Sequence, residues 1–422
     1  MDTAPTVETR SVLSGKRAAV LLFSYYPADN RPRRAAEALA HEGMDVELIC
    51  LRKSRDEPMR EVFNGVTIRR LPLRRHRGGR AAYVFQYSAF LIGAFIYLML
   101  RSLTRRFHLV HVHNMPDFLV FSGLVPKLLG AKVVLDLHDP MPELMMTIFG
   151  LGPTSAAVRL LEHLERWSVR FTDSVITVNA ACKRIFASRS CPAEKIHVVM
   201  NSPDEDIFTL RAAAATATTP GRPFVMMYHG SILERNGLDL AVDALIAIRE
   251  RVPTAELRIY GEATPFLETV LRRVKEQRLQ HVVRYFGAKG PKQIAAAIDQ
   301  CDVGIIPNRR SIFTEINTPT RIFEYLSRGK PVITGRAPGV LDYFAEDDLF
   351  FFTLGDAADL ARVMTRVYHQ PADVDSAVKR GQDVYLAHRW CEERRRLLDH
   401  IAQLLDPVQR SVYRNSMVGA DR

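Results

Sequence analysis

The chain has 422 residues, 47% hydrophobic and 25% charged, which excludes a disordered or coiled-coil protein and fits two or three globular domains. Its 58 lysines and arginines outnumber 47 aspartates and glutamates, and the resulting +11 points to an anionic partner: nucleic acid, a phosphorylated substrate or an anionic membrane.

Residues 1–17 are polar, with no apolar leader core before the run at Ala18, so the chain is expected to begin in the cytosol. Short β-rich runs follow at 18–23, 46–50, 66–69, 109–113, 132–137 and 174–178, with helical patterns between them, notably 33–42 and 156–171. Strands alternating with helices predict βαβ units and a parallel sheet. A further strand at 196–200 precedes the Ala/Thr-rich stretch 212–221, which lacks periodicity and reads as an interdomain linker.

The rhythm then restarts, with strands expected at 224–228, 256–260, 282–286, 303–306, 331–334 and 349–352. Helical patterns lie at 238–251, 266–277, 291–297, 321–327 and 357–368, and a last helical segment runs from 384 to about 405. The expected fold is therefore α/β, with two doubly wound Rossmann-like domains facing a cleft between the carboxyl ends of their sheets, where such folds bind ligands. The expected boundaries are 1–205 and 206–384, with a terminal helix at about 385–410 crossing back onto the first domain. Neither half carries GxGxxG after its first strand or GxxxxGK[ST], so a hydride-transfer enzyme or a P-loop NTPase is disfavoured. Five cysteines (Cys50, Cys182, Cys191, Cys301, Cys391) form no CxxC or Cys/His cluster, which argues against structural zinc and fits a reducing cytoplasm.

The charge is localised. Between residues 51 and 110 stand thirteen basic side chains against three acidic ones, so nearly all of the +11 falls there. Inside that stretch, 81–100 (AAYVFQYSAFLIGAFIYLML) is uncharged and about the ~20 residues a bilayer requires. It reads as a buried core helix, a spanning helix, or a helix lying on an anionic leaflet. Spanning is the weakest reading, because buried strands of one sheet are expected on both sides of it. The basic and apolar segment 74–106 is thus expected to meet an anionic membrane surface, with the protein cytoplasmic and peripheral on the inner face. Nucleic acid is not expected, since no helix-turn-helix spacing or aromatic–basic RNA signature is present.

Three loops could carry chemistry. After the first strand of the second half comes Tyr228-His229-Gly230-Ser231, followed by Arg235-Asn236-Gly237. Gly230 would let backbone approach a ligand, and Arg235 would add charge for a diphosphate. Residues 315–333 contain Thr318-Pro319, expected as N-cap and first helical residue, so that the N–H groups of Thr320 and Arg321 would face an anion. Glu324, one to two turns further, could accept hydrogen bonds from two vicinal hydroxyls. The third loop, Asp136-Leu-His138-Asp139, puts a histidine bracketed by carboxylates at a strand end, suited to hydroxyl contact or proton handling.

Together these segments resemble the family-4 glycosyltransferases of the GT-B fold, a retaining, sugar-nucleotide-dependent class. The resemblance rests on Arg31-Pro-Arg33-Arg34-Ala35 with Leu39 and Gly43, on His138-Asp139, and on Asn201-Ser202 with Asp204 and Phe208. It continues through His229-Gly230-Ser231 and Arg321-Ile-Phe-Glu324-Tyr-Leu-x-x-Gly329-Lys330-Pro331 to Trp390. The resemblance implies that Glu324 holds the donor ribose and that Gly230, Ser231, Arg235, Asn236, Thr318, Thr320 and Arg321 line the donor. It implies that His138 and Glu315 serve catalysis and that Arg31, Arg33 and Arg34 lie on the acceptor side. Two positions depart from the family pattern. An acidic residue is expected at Ile316, whose nearest acid is Glu315, and a lysine at Asn236. No DxD motif is expected to present a divalent cation, so no cofactor and no metal is expected beyond the nucleotide sugar itself. The implied acceptor is a glycan or lipid-linked molecule in polysaccharide or glycolipid assembly. A degenerate partner subunit or a sugar-nucleotide epimerase of the same fold would share much of this pattern.

Overall fold

The computed structural model describes residues 11–75, 80–213 and 222–406, with the side chains of 80–83 left out. Most of the expected linker, Arg77 and anything beyond residue 406 lie outside the described residues. Two compact units emerge. One comprises Met1–Val178, Lys183–Val199 and Arg394–Arg422; the other comprises Asn179–Cys182 and Met200–Glu393.

The first unit is built on strands β1 (Arg17–Leu22), β2 (Asp45–Leu51), β3 (Arg60–Phe63), β4 (Val66–Leu71), β5 (Leu109–His113), β6 (Lys132–Leu137), β7 (Ser174–Thr177) and β8 (Ile196–Val198). Their order is β3-β4-β2-β1-β5-β6-β7-β8, parallel except for β3, which pairs antiparallel with β4. β1 and β2 are buried almost throughout, as expected of a sheet covered on both faces. The β3 hairpin was not expected from the sequence, because its four residues are half exposed and too short for a period to register. The second unit carries β9 (Phe224–His229), β10 (Ala255–Tyr260), β11 (Val283–Tyr285), β12 (Val303–Ile306), β13 (Val332–Gly335) and β14 (Phe350–Phe352), all parallel in the order β11-β10-β9-β12-β13-β14. The two doubly wound Rossmann-like folds are thus as expected. Each sheet reverses its winding beside its first strand, at β1/β5 and at β9/β12, where such folds open a ligand crevice.

The helices differ from expectation in places. Met141–Phe149 and Ala180–Arg189 were not foreseen, and the terminal segment is two helices, Pro371–Ala387 and Trp390–Leu405. Leu397 and Ile401 of the last helix sit in the first unit's core with Leu39, Val46 and Ile68.

The apolar stretch forms helix Arg80–Thr104. The chain enters it from β4 and leaves into β5, two strands of the same sheet, so the helix covers that sheet and does not cross a bilayer. It is not a buried core helix either, since 22% of its most apolar window is buried. Phe90, Ala94 and Leu98 face inward, whereas Phe85, Ile92, Ile96, Leu100 and Leu103 are exposed. Polar anchors hold its last turns. The Tyr97 hydroxyl donates to Glu47 Oε2 at 2.5 Å and Arg101 Nη2 donates to Oε1 at 2.6 Å. Burial pulls the Glu47 carboxyl upward, but these donors win and hold it at about 2. Part of the basic excess is therefore internal: Arg101 serves Glu47, and buried Arg70 pairs with Glu61 at 2.7 Å.

Candidate active site

In the first unit, β1, β5 and β6 end level, with Leu22 beside His113 and His113 beside Asp136. Their following residues line a pocket of about 160 Å³, with Phe23, Ser24, Asn114, Met115, His138 and Asp139 among its walls. Asn114 fixes the loop after β6 from both sides. Its Oδ1 accepts the His138 backbone N–H at 2.8 Å, and its Nδ2 donates to the Asp139 carbonyl at 2.9 Å and to Asp117 at 3.2 Å.

Below His138 lies a buried polar chain. His138 Nε2 is 3.0 Å from His113 Nδ1, which is 3.3 Å from Asp136 Oδ2. Arg31, on helix Asn30–His41, closes on both oxygens of Asp136, with Nη2 2.7 Å from Oδ1 and Nε 3.0 Å from Oδ2, and its Nη1 donates to the Val199 carbonyl. Burial opposes charge on Asp136, yet the Arg31 charge, helped by the His111 and His113 imidazoles, holds its carboxyl well below the usual range. Burial, reinforced by His111, pushes the His113 imidazole far below 6.5, so it is neutral. Arg31 is thus engaged with Asp136 beneath the pocket, while Arg33 and Arg34 are half-buried on the same helix.

His111, His113 and Asp136 bring ligand atoms within 4.8 Å of one another, a composition that can hold a metal ion. Arg31 already occupies both carboxylate oxygens, so a cation would face a fixed positive charge about 3 Å from its ligand. The residues fit a hydrogen-bonded chain better than a metal centre. Two Asp-x-Asp triplets do occur elsewhere, but Asp204 accepts from the Asp206 backbone N–H and Asp373 pairs with Arg366.

In the second unit the site is built where β9 meets helix Thr320–Ser327. Gly230 follows β9 at φ +113°, and a Cβ there would touch the Arg321 side chain at 3.3 Å. Arg321 Nη1 donates to the His229 carbonyl at 2.7 Å, and its guanidinium lies 5.4 Å from the Tyr228 ring centre. His229 Nε2 is 3.3 Å from Glu324 Oε2. Burial, then the Arg321 charge, pushes that imidazole down to about 3, so His229 meets the carboxylate as a neutral ring. Tyr325 locks the helix to the strand through its hydroxyl, which donates to the Met227 carbonyl at 2.8 Å.

The adjoining loop is pinned at the Ser231 carbonyl by the Tyr228 hydroxyl and Asn236 Nδ2, both at 2.7 Å, which leaves the Ser231 side chain exposed. Asn236 thus shapes the loop. Arg235 lies 5.8 Å from the Phe313 ring centre. Gly237, at φ +65°, starts helix Leu238–Ile248 so close to β12 that a Cβ would stand 1.9 Å from the Pro307 carbonyl oxygen.

Thr318 differs from expectation. The helix begins at Thr320 with Pro319 as its extended N-cap, and the Thr318 hydroxyl donates to the Gly339 carbonyl at 2.6 Å while accepting from Asn179 Nδ2 at 3.1 Å. A capping hydroxyl must face the first turn; this one is turned to a neighbouring loop instead. Glu315, in helix Ile312–Ile316, is partly exposed and 3.6 Å from Arg310. The structure therefore gathers Gly230, Ser231, Arg235, Asn236, Arg321 and Glu324 around the end of β9. It gathers Arg31 and His138 around Asp136 in the first unit. Asn114, His113 and Asp136 were missed as site residues. Two histidines at a strand spacing of two, His111 and His113, were the available signal; the register that sets His113 beside Asp136 was not.

A model of the glycosyl transferase 4-like domain matches residues 28–202, and one of the glycosyl transferases group 1 matches residues 223–370. A putative colanic acid biosynthesis glycosyltransferase of Salmonella typhimurium is 26% identical over 36% of this chain and 37% of its own length. A GDP-mannose-dependent phosphatidylinositol monomannoside mannosyltransferase of Mycobacterium tuberculosis is 28% identical over 50% and 55%. The alignments thus span between about a third and a half of these curated relatives. Among solved structures, a sucrose-phosphate synthase of Thermosynechococcus elongatus superposes with a TM-score of 0.73 at 18% identity, over 92% of this chain and 99% of that one. Anabaena HepE in complex with UDP-glucose does so at 0.68 and 14%, over the same shares. With two family domains in order over most of its length, each on a doubly wound sheet, the chain belongs to the family-4 glycosyltransferases of the GT-B fold.

Proposed function

We propose that the protein is a retaining transferase that moves a sugar from a UDP- or GDP-sugar to a membrane-associated glycan or lipid-linked acceptor, in polysaccharide or glycolipid assembly on the cytoplasmic face of a membrane. The observation that carries this reading is the β9 junction, where a left-handed glycine exposes backbone next to Arg321 and leaves Glu324 beside a neutral histidine. Glu324 accepts the ribose hydroxyls of the donor, while the first N–H groups of helix Thr320–Ser327, Arg321 and Arg235 face the diphosphate. As the glycosidic bond breaks, the sugar gains oxocarbenium character and the departing diphosphate gains negative charge. Arg321 and the helix terminus stabilise that charge from fixed positions, because Arg321 is already braced on the His229 carbonyl. The acceptor hydroxyl attacks from the face the diphosphate leaves and gives its proton to the departing diphosphate oxygen, no protein nucleophile intervenes, and the reaction needs no metal. His138, held in the first unit's pocket, contacts the transferred sugar.

Membrane association is part of the proposal. The exposed face of helix Arg80–Thr104 presents Phe85, Ile92, Ile96, Leu100 and Leu103, and exposed Arg105 and Arg106 follow it, a combination suited to an anionic lipid surface. Thermal unfolding in the presence of UDP and of GDP tests the donor site. One of the two should raise the midpoint in the native protein and not in Glu324→Ala. No shift with either would favour a non-catalytic partner subunit.

A further inference from the structure

We infer that Asp136 and His113 act as positioning residues that set the tautomer of His138, leaving its proton on Nδ1, so that His138 offers the pocket a hydrogen-bond donor and not a base. The inference deepens the proposed role of His138 and rests on that reading for its meaning in catalysis, though not for its test.

The geometry leaves one consistent assignment of protons. Ionised Asp136 can only accept, and Arg31 secures its orientation by donating to both oxygens. His113 is fully buried and neutral, so its ring carries one proton. Its Nε2 is buried without a hydrogen-bond partner among the described residues, whereas its Nδ1 faces Asp136 Oδ2 at 3.3 Å and His138 Nε2 at 3.0 Å. With the proton on Nδ1, both neighbours accept from it. With the proton on Nε2, a buried N–H would go unpaired and the Nδ1 lone pair would oppose a carboxylate. The proton therefore sits on His113 Nδ1, His138 Nε2 is an acceptor, and the His138 ring carries its proton on Nδ1. The His138 backbone is fixed independently by Asn114, and the ring is the one member of the chain that lines the pocket. A sugar hydroxyl or phosphate oxygen can accept from such a group. Proton abstraction by it would require a different tautomer.

Nitrogen-15 NMR of the full chain labelled at its 13 histidines reads this directly, without any substrate. The His138 resonances, identified by their loss in His138→Gln, should show a pyridine-like Nε2 and a pyrrole-like Nδ1 at neutral pH. The opposite pattern, or a doubly protonated ring, overturns the inference. In Asp136→Asn the acceptor is replaced by an amide able to donate, so the His138 pattern should invert and kcat should fall at least about tenfold with little change in donor KM. If that variant does not fold, the native spectrum still decides. Glycosyl transfer that is absent while the native tautomer is as stated would remove the functional reading and leave the proton assignment standing.

Discussion

Asp117 is buried under the Asn114 that fixes His138, and burial, aided by the charge of Glu165, pushes its carboxyl up to about 7. A group raised in this way holds a proton in the folded chain that the unfolded chain has already lost. Its contribution to stability is complete below about pH 4 and is lost as the pH rises through 7. Asp117→Asn removes that dependence. The stability of the Asn variant relative to the native protein should rise between pH 4 and pH 7, by up to about 4 kcal/mol, in denaturant melts. A difference that stays flat across that window would contradict the assignment. Gly237 makes a second residue-level case: its φ of +65° and the 1.9 Å approach to Pro307 leave no room for a side chain. Gly237→Ala should cost about 2–4 kcal/mol, read as a lowered unfolding midpoint. Individual roles were the least legible part of the sequence. Thr318 has the form of a capping residue, yet whether a hydroxyl turns toward its helix or toward Gly339 depends on a loop 21 residues away.

Among the elements, helix Arg80–Thr104 shows where sequence reasoning stops. Length and hydropathy allow a spanning, buried or surface helix alike. The choice follows from neighbours: β4 and β5 at its two ends share one sheet, and Glu47 draws Tyr97 and Arg101 inward. What remains outward is an apolar stripe. Replacing Ile92, Ile96 and Leu100 with aspartate should lower retention on anionic vesicles about tenfold or more, and replacing Arg105 and Arg106 with glutamate should do so while leaving neutral vesicles unaffected. Unchanged retention in both variants would remove the membrane from the account. Long strands and strongly periodic helices, such as β1, β9 and Ala156–Phe171, were legible because burial on both faces or along one face sets their pattern. The short β3 and the break between Ala387 and Trp390 carry no such period.

Across the whole molecule, two sheets of Rossmann order each present a candidate site at the point where the winding reverses. The motif spacing around Glu324 and the His229-Gly230 loop brought the residues of the second candidate site into view from the sequence. The buried chain under His138 was not, because Arg31, His113 and Asp136 come from three separate segments and meet only through strand register. The measurement that bears most directly on the central claim is transfer of radiolabelled sugar by the purified full chain, with a panel of UDP- and GDP-sugars and membrane lipid extract as acceptor. The account predicts label entering the lipid or glycan fraction from one donor, without added metal, and at least a hundredfold less in Glu324→Ala. Transfer that persists in Glu324→Ala, or no transfer from any donor in the panel, would contradict it.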